Sequence, residues 1–178
     1  MKIGLLGGGF KPLTKGHYSI IKAAAKENDE VFVFVSTHDR AREGEFPIDA
    51  KVMRLIWDKL LMKIMPNNVT VEHVSHPVGG IFKKIYDAND SEDNSNQYFI
   101  YTDIDDKRDF DNPGKRKRLA FMWENGLINI LPLPRLSSGT KTRKFLELGM
   151  VDEFSQELPE PIQHLGKQVF DLLGAEEA

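Results

Sequence analysis

The chain predicts an open α/β fold: a five-stranded parallel sheet with helices on both faces, followed by a C-terminal helical extension. Three observations lead there. Short apolar, β-branched runs alternate along the chain with amphipathic helical stretches, the order expected of parallel strands joined by crossover helices. One of those runs, Val31 to Val35, is continuously apolar, as in a strand buried on both faces. A length of 178 residues suits one domain with a small appendage and is enough to bury a real core.

Taken in order, Met1 to Leu6 reads as a buried first strand. Tyr18, Ile21, Ala24 and Ala25 then fall at helical spacing in the stretch that runs to Lys26. Glu27 to Glu30 is a polar turn before the second strand at 31–35. Asp49 to Ile64 predicts a single amphipathic helix, with Met53, Ile56, Trp57, Leu60, Leu61 and Ile64 on its apolar face. These are core residues by their spacing. Val69 to Val74 is the third strand. Pro77 to Gly80 leads into a short helix over Ile81–Tyr86, and Asp87 to Gln97, rich in Asp, Asn and Ser, reads as a surface loop. The fourth strand is Tyr98 to Tyr101 and the fifth is Leu127 to Leu131. A helix from Lys141 to Leu148 stops at Gly149. Beyond it, a turn over Asp152–Glu157 and a last helix with Ile162, Leu165, Val169 and Leu172 make up the extension. The domain boundaries are 1–150 for the main unit and 151–178 for the extension.

Composition narrows the function. A net charge of −3, with 40% hydrophobic and 29% charged residues, is ordinary for a soluble globular protein and draws the chain to neither nucleic acid nor an anionic membrane. The absence of cysteine excludes disulfides, thiolate metal sites and cysteine nucleophiles. The N-terminus reads as a core strand rather than a signal peptide, and no apolar run approaches a membrane span. A cytoplasmic protein without nucleic-acid or membrane partners is expected, and a homo-oligomer is compatible with the apolar stripe of the last helix.

The chemistry concentrates after the first strand, in Gly7-Gly8-Gly9-Phe10-Lys11-Pro12-Leu13-Thr14-Lys15-Gly16-His17. Strand, glycine-rich turn and helix start together make an anion site, because helix N–H groups and the helix dipole favour phosphate there. The loop is neither a P-loop, which needs Gly-Lys-Ser/Thr, nor a dinucleotide fingerprint, which fails at Pro12. A second polar stretch, Leu136-Ser137-Ser138-Gly139-Thr140-Lys141-Thr142-Arg143, begins a helix with hydroxyl and N–H donors and sets Arg143 one turn beyond Thr140. Arg40 and Arg42 follow the second strand, where ligands bind in open parallel sheets. Arg40 is the stronger candidate to grip an acceptor phosphate; the alternative for both is a surface pair with Glu43 or Glu45. Asp105 and Asp106 read as a hydrated turn rather than a cation site. His73 and His76 lack a third ligand at metal spacing, so no protein metal site is expected. Lys115 to Arg118 reads as an exposed helix start or a phosphate-gripping loop.

The first loop resembles the signature of the nucleotidyltransferase superfamily named for its His-x-Gly-His motif, G-x-F-x-P-x-(His/Thr)-x-G-His, with Thr14 in the first His position. Residues 136–143 are similar to its second signature, (Ile/Val)-Ser-(Ser/Gly)-Thr-x-x-Arg. The resemblance implies a Rossmann-like fold and transfer of a nucleoside monophosphate from ATP, or alternatively CTP, to a small phosphate-bearing acceptor, with release of pyrophosphate and with Mg²⁺ on the triphosphate. It implies that His17, Thr14, Lys11 and Arg143 are catalytic. The nucleotide-binding set is then Gly8, Gly9, Phe10, Gly16, His17, Asp103, Ser138, Gly139, Thr140 and Arg143. Asp103 stands in a loop where the family often carries Gly-x-Asp, but Tyr101 replaces the glycine. The competing class is a nucleotide sensor without catalysis, whose mark would be loss of His17 or Arg143.

Overall fold

The computed structural model describes residues 1–134 and 139–178. The strands are β1 (Lys2–Gly8), β2 (Glu30–Ser36), β3 (Val69–Val74), β4 (Gln97–Asp103) and β5 (Ile128–Leu133), all parallel, in the order β3-β2-β1-β4-β5. The helices are α1 (Lys15–Glu27), α2 (Ala50–Lys59), α3 (Pro77–Asp90), α4 (Lys107–Phe110), α5 (Pro113–Arg118), α6 (Ala120–Glu124), α7 (Gly139–Leu148), α8 (Val151–Glu157) and α9 (Gly166–Leu172). Two compact units partition the chain. The first holds Met1–Gly8, Ile20–Ser36 and Pro66–Arg135; the second holds Gly9–Ser19, Thr37–Met65 and Leu136–Ala178.

The first unit is the sheet with its covering helices, and residue parity explains both faces. Ile3, Leu5, Phe34, Tyr98, Ile100 and Ile128 point to one side, where they pack with Ile81, Phe82, Ile85 and Ala88 of α3 and with Phe110, Leu119 and Met122. The alternate residues face the C-terminal part of α1. There the Asn28 carboxamide donates to the Ala24 carbonyl at 2.8 Å and to the Tyr101 hydroxyl at 2.9 Å. Tyr101 donates in turn to Glu27 at 2.7 Å. Burial, reinforced by that bond, pushes the Tyr101 phenol up to about 12.

One expectation in this unit is corrected. The helix read as Ile81–Tyr86 begins at Pro77 and runs to Asp90, so Asp87–Asp90 belong to it rather than to the loop. Pro77 supplies a ready first turn, and Gly80 lets the helix lie on the Phe34 ring, which an added Cβ would meet at 2.7 Å. At the other end Ala88 is buried while its polar neighbours keep the outer face wet. The basic run lies in α5, in line with the exposed helix start among its expected readings, and three of its four side chains are held. Lys115 donates to the Tyr86 hydroxyl at 2.6 Å and lies 3.9 Å over the Phe82 ring. Arg116 forks onto Asp111 and stacks on Trp123; Arg118 forks onto Asp90 and stacks on Tyr86.

The second unit contains the loop after β1, the first turn of α1, α2 and α7 to α9. Asp49 caps α2, accepting from Lys51 and Val52 N–H. The expected single helix over 49–64 is two pieces, α2 and a 3₁₀ turn at Leu61–Ile64. Pro66 forces Met65 into an extended conformation, and the preceding turn tightens as helix ends do. α7 ends at Gly149 with φ 69°, as its sequence predicts. In the extension a 3₁₀ segment over Glu160–Leu165 precedes α9. Ile162 and Val169 are buried as expected, but Leu172 is exposed and Phe170 takes its place. The Phe170 ring meets Phe154 of α8 edge-on at 5.9 Å. Phe154→Ala should therefore lower the unfolding free energy in urea by about 3–5 kcal/mol, the usual cost of emptying an aromatic site. A change below about 1 kcal/mol would show that this pair does not hold the extension.

Candidate active site

Thr14 precedes α1 and caps it. Its Oγ1 accepts from the His17 backbone N–H at 3.4 Å, and its carbonyl accepts from Tyr18 N–H at 3.0 Å. The Thr14 backbone N–H in turn donates to His17 Nδ1 at 3.2 Å, with Thr14 Oγ1 3.1 Å from the same nitrogen. An amide N–H can only donate, so Nδ1 accepts and the neutral imidazole carries its proton on Nε2. The ring is thereby set as a donor through Nε2. Phe10 braces it edge-on at 5.1 Å and itself meets Trp57 at 6.4 Å. To do so Phe10 adopts φ 50°, a left-handed conformation that costs a bulky residue on the order of 1–3 kcal/mol. Backbone strain in this glycine-rich loop thus falls on its aromatic residue.

Lys11 and Arg143 are both cationic and nearly inaccessible, at 6% and 5% exposure. Lys11 Nζ donates to the Gly9 carbonyl at 3.0 Å. Burial pulls its ammonium below the usual lysine range, against the opposing charge of Asp39. Arg143, on α7, reaches back to the same loop: Nη1 donates to the Lys11 carbonyl at 3.0 Å and Nη2 to Thr140 Oγ1 at 3.4 Å. Its Nε lies 3.3 Å from Glu45, an ion pair without an aligned hydrogen bond. Burial first, then the nearby Arg40 charge, lowers the Arg143 pKa, while Glu45 opposes the shift. Arg40 forks onto the same Glu45 at 2.9 and 3.0 Å, which holds that carboxyl below its usual range.

Lys11, Thr14, His17, Arg40, Thr140 and Arg143 thus all belong to the second unit, with Gly9, Phe10, Gly16 and Gly139. Gly139 leaves room for Arg143, since an added Cβ would stand 2.7 Å from Nη1 and make the guanidinium shift. Gly139→Ala should lower kcat/KM on the order of 10- to 100-fold by shifting that guanidinium. Kinetics indistinguishable from the parent would show that the shift is absorbed elsewhere.

Gly8 closes β1 and Asp103 closes β4, at the carboxyl edge of the sheet; the β1–β4 register ends at Leu6↔Tyr101. Ser138 lies outside the described residues. Arg42, Asp105 and Asp106 are exposed, the last two in a 3₁₀ turn. His73 lies in β3 and His76 at the start of α3. Among the described residues no group of three or more His, Asp or Glu converges as a metal cluster. No helix is long and apolar enough to cross a membrane, again among the described residues. The residue that sequence reasoning missed as part of the site is Glu45, visible there only as a surface partner of Arg40. Its signal was an acid in an arginine-rich loop beyond a buried strand.

Residues 5–78, which carry the His17 loop, match the family model described as Cytidylyltransferase-like. That match covers less than half of the chain, which over this segment is similar to the family. Curated relatives match a part of the chain as well. Phosphopantetheine adenylyltransferase of Lactococcus lactis subsp. cremoris is 43% identical over 54 residues, 30% of this chain and 32% of the relative. The alignment thus spans about a third of the length of the curated relatives it matches. The fold likeness extends further. Plasmodium falciparum nicotinic acid mononucleotide adenylyltransferase complexed with APC superposes with a TM-score of 0.60 at 14% identity, covering 98% of both chains. A bifunctional NMN adenylyltransferase/ADP ribose pyrophosphatase from Francisella tularensis, complexed with AMP and a Mn ion, gives 0.59 at 15% identity, covering 97% of this chain and 52% of that one. At such identities the likeness speaks for the fold, and the Rossmann-like α/β architecture is the one they share.

Proposed function

We propose that this protein is a nucleotidyltransferase that moves AMP from ATP to a small phosphate-bearing acceptor and releases pyrophosphate. The observation that carries the reading is the Thr14–His17 arrangement, which fixes the imidazole as an Nε2–H donor. An acceptor phosphate is already ionised near neutral pH, so the reaction needs no protein base. One acceptor oxygen attacks the α-phosphorus, the bond to the bridging oxygen breaks, and that electron pair leaves on pyrophosphate. Catalysis is then alignment plus donors for the charge that develops.

In this reading His17 Nε2–H serves an α-phosphate oxygen, and Thr14 holds the ring in its tautomer. Lys11, Ser138, Thr140 and Arg143 take the triphosphate, with Gly8, Gly9, Phe10, Gly16 and Gly139 shaping the backbone around the nucleotide. Arg40 takes the acceptor phosphate, and Asp103 is assigned to the nucleotide by family resemblance. The divalent cation, Mg²⁺ by preference, belongs to the triphosphate and enters with it. Residues 1–150 form the transferase unit and 151–178 its extension, in a cytoplasmic setting. The relatives named above are adenylyltransferases, which favours ATP over CTP, and their acceptors make pyridine mononucleotides and phosphopantetheine the first candidates.

The test is pyrophosphate release with Mg²⁺, crossing ATP and CTP against a panel that holds both acceptors with glycerol, choline and sugar phosphates. Release with ATP and one acceptor is expected. Release with CTP alone would reassign the donor, and silence with nucleotide binding intact would make the protein a sensor.

A further inference from the structure

The arginines assigned to phosphate already hold an anion. Glu45 receives a two-point fork from Arg40, and its Oε2 stands 3.3 Å from Arg143 Nε. A carboxylate presents a guanidinium with the same pair of oxygens as a phosphate does, so Glu45 sits where phosphate oxygens would. Arg143 is 5% exposed, and among the described residues Glu45 is the acid that stands against its Nε.

The segment that carries Glu45 is a loop fastened at its base. Arg40 and Ile48 exchange both backbone hydrogen bonds at 2.9 Å, closing residues 41–47 into a loop on a buried Ile48. Asp39 adds an anchor below this bridge by accepting from Ala50 N–H at 2.7 Å. Within the loop, residues 41–44 are exposed, Gly44 has φ 79°, and Glu45 N–H returns to the Arg42 carbonyl at 3.1 Å. The base is fastened twice, while among the described residues the tip is held by the Glu45 carboxylate, one backbone turn and the half-buried Phe46.

We propose that Glu45 is a built-in competitor for phosphate: it occupies Arg40 and Arg143 in the free protein, and a phosphate-bearing ligand displaces it and releases the 41–47 loop. The identity of that ligand rests on the transferase reading; its polyanionic character rests on the arginine pair. Glu45 also selects. A tethered carboxylate competes at high effective concentration, so a singly charged anion exchanges like for like and gains nothing. A polyphosphate brings further charge to Lys11 and Arg42 as well.

Calorimetric titration of the full chain with inorganic tripolyphosphate, without nucleotide or metal, tests this. Glu45→Gln should bind about tenfold more tightly than the parent, since a like charge has been removed from the site. Glu45→Asp, which keeps the charge but draws it back by one methylene, should tighten binding less and in the same direction; it stands in if the Gln variant misfolds. Equal or weaker binding in the folded variants overturns the proposal, because a merely supporting Glu45 would weaken binding when lost. Trypsin cleavage after Arg42, read by mass spectrometry, should accelerate in ligand-free Glu45→Gln; an unchanged rate overturns the link to the loop. These readouts involve no turnover. Tighter binding in a chain that never releases pyrophosphate would sink the transferase reading alone, and turnover with unchanged binding would sink this one alone.

Discussion

His17→Ala is expected to lower turnover by about a hundredfold or more, the usual cost of losing one donor to a transition-state oxyanion, with a melting temperature close to the parent's. The geometry sharpens this into a series. Asparagine at position 17 can present its carbonyl oxygen where Nδ1 now accepts from Thr14, so it keeps the local hydrogen bond but offers no donor at the Nε2 position. It should be as slow as alanine. Glutamine can carry an amide N–H out to the Nε2 position and should recover part of the rate. Single-turnover pyrophosphate release, with a thermal melt of each variant, checks the order. Parent-like turnover in His17→Ala would remove the imidazole from the mechanism.

The second large effect is expected at Arg143, where activity and stability fall together. Arg143→Ala leaves the Lys11 carbonyl without its 3.0 Å donor and strips one cation from beside Glu45. Glu45 keeps its fork from Arg40, so the stability lost is that of the buried Lys11 carbonyl's bond, about 1–3 kcal/mol, and the proposed loss of a triphosphate donor adds a hundredfold or so in kcat/KM. Arg143→Lys keeps the charge but cannot span Lys11, Thr140 and Glu45 at once, so it should recover stability better than rate. Urea titration alongside steady-state kinetics separates the two. A variant that loses stability but keeps its rate would make Arg143 a structural brace only.

The sequence reads well where residue types are fixed at fixed spacing. The His17 loop, the alternation of strands with helices, and the stop at Gly149 are all local patterns, and each stands where expected. It reads poorly where a partner comes from a distant element. Lys115 to Arg118 look like a free basic run because Tyr86, Phe82, Trp123 and Asp90 are not their neighbours in sequence. Asp87 to Asp90 look like a loop because only Ala88 shows that the helix still has an inner side. Glu45 looks like a surface acid because its meeting with Arg143 depends on α7, nearly a hundred positions later. Phe10 is the opposite case. Nothing in an aromatic residue that follows three glycines announces that it will take the left-handed turn itself.

The sheet order has a consequence for how the chain emerges from the ribosome. β1 is made first, yet it is the central strand, and its two neighbours arrive far apart in time. β2 follows within 36 residues, whereas Lys2 finds Gln97 and Leu6 finds Tyr101 only after most of a hundred residues have been added. Until then β1 and β2 form a nascent pair whose inner edge is a row of unbonded amides and carbonyls beside Ile3 and Leu5. Such an edge is a template for pairing with other chains, and distant parallel partners are slow to close. The interval between those two pairings should favour aggregation, and a pause in synthesis before β4 would lengthen it.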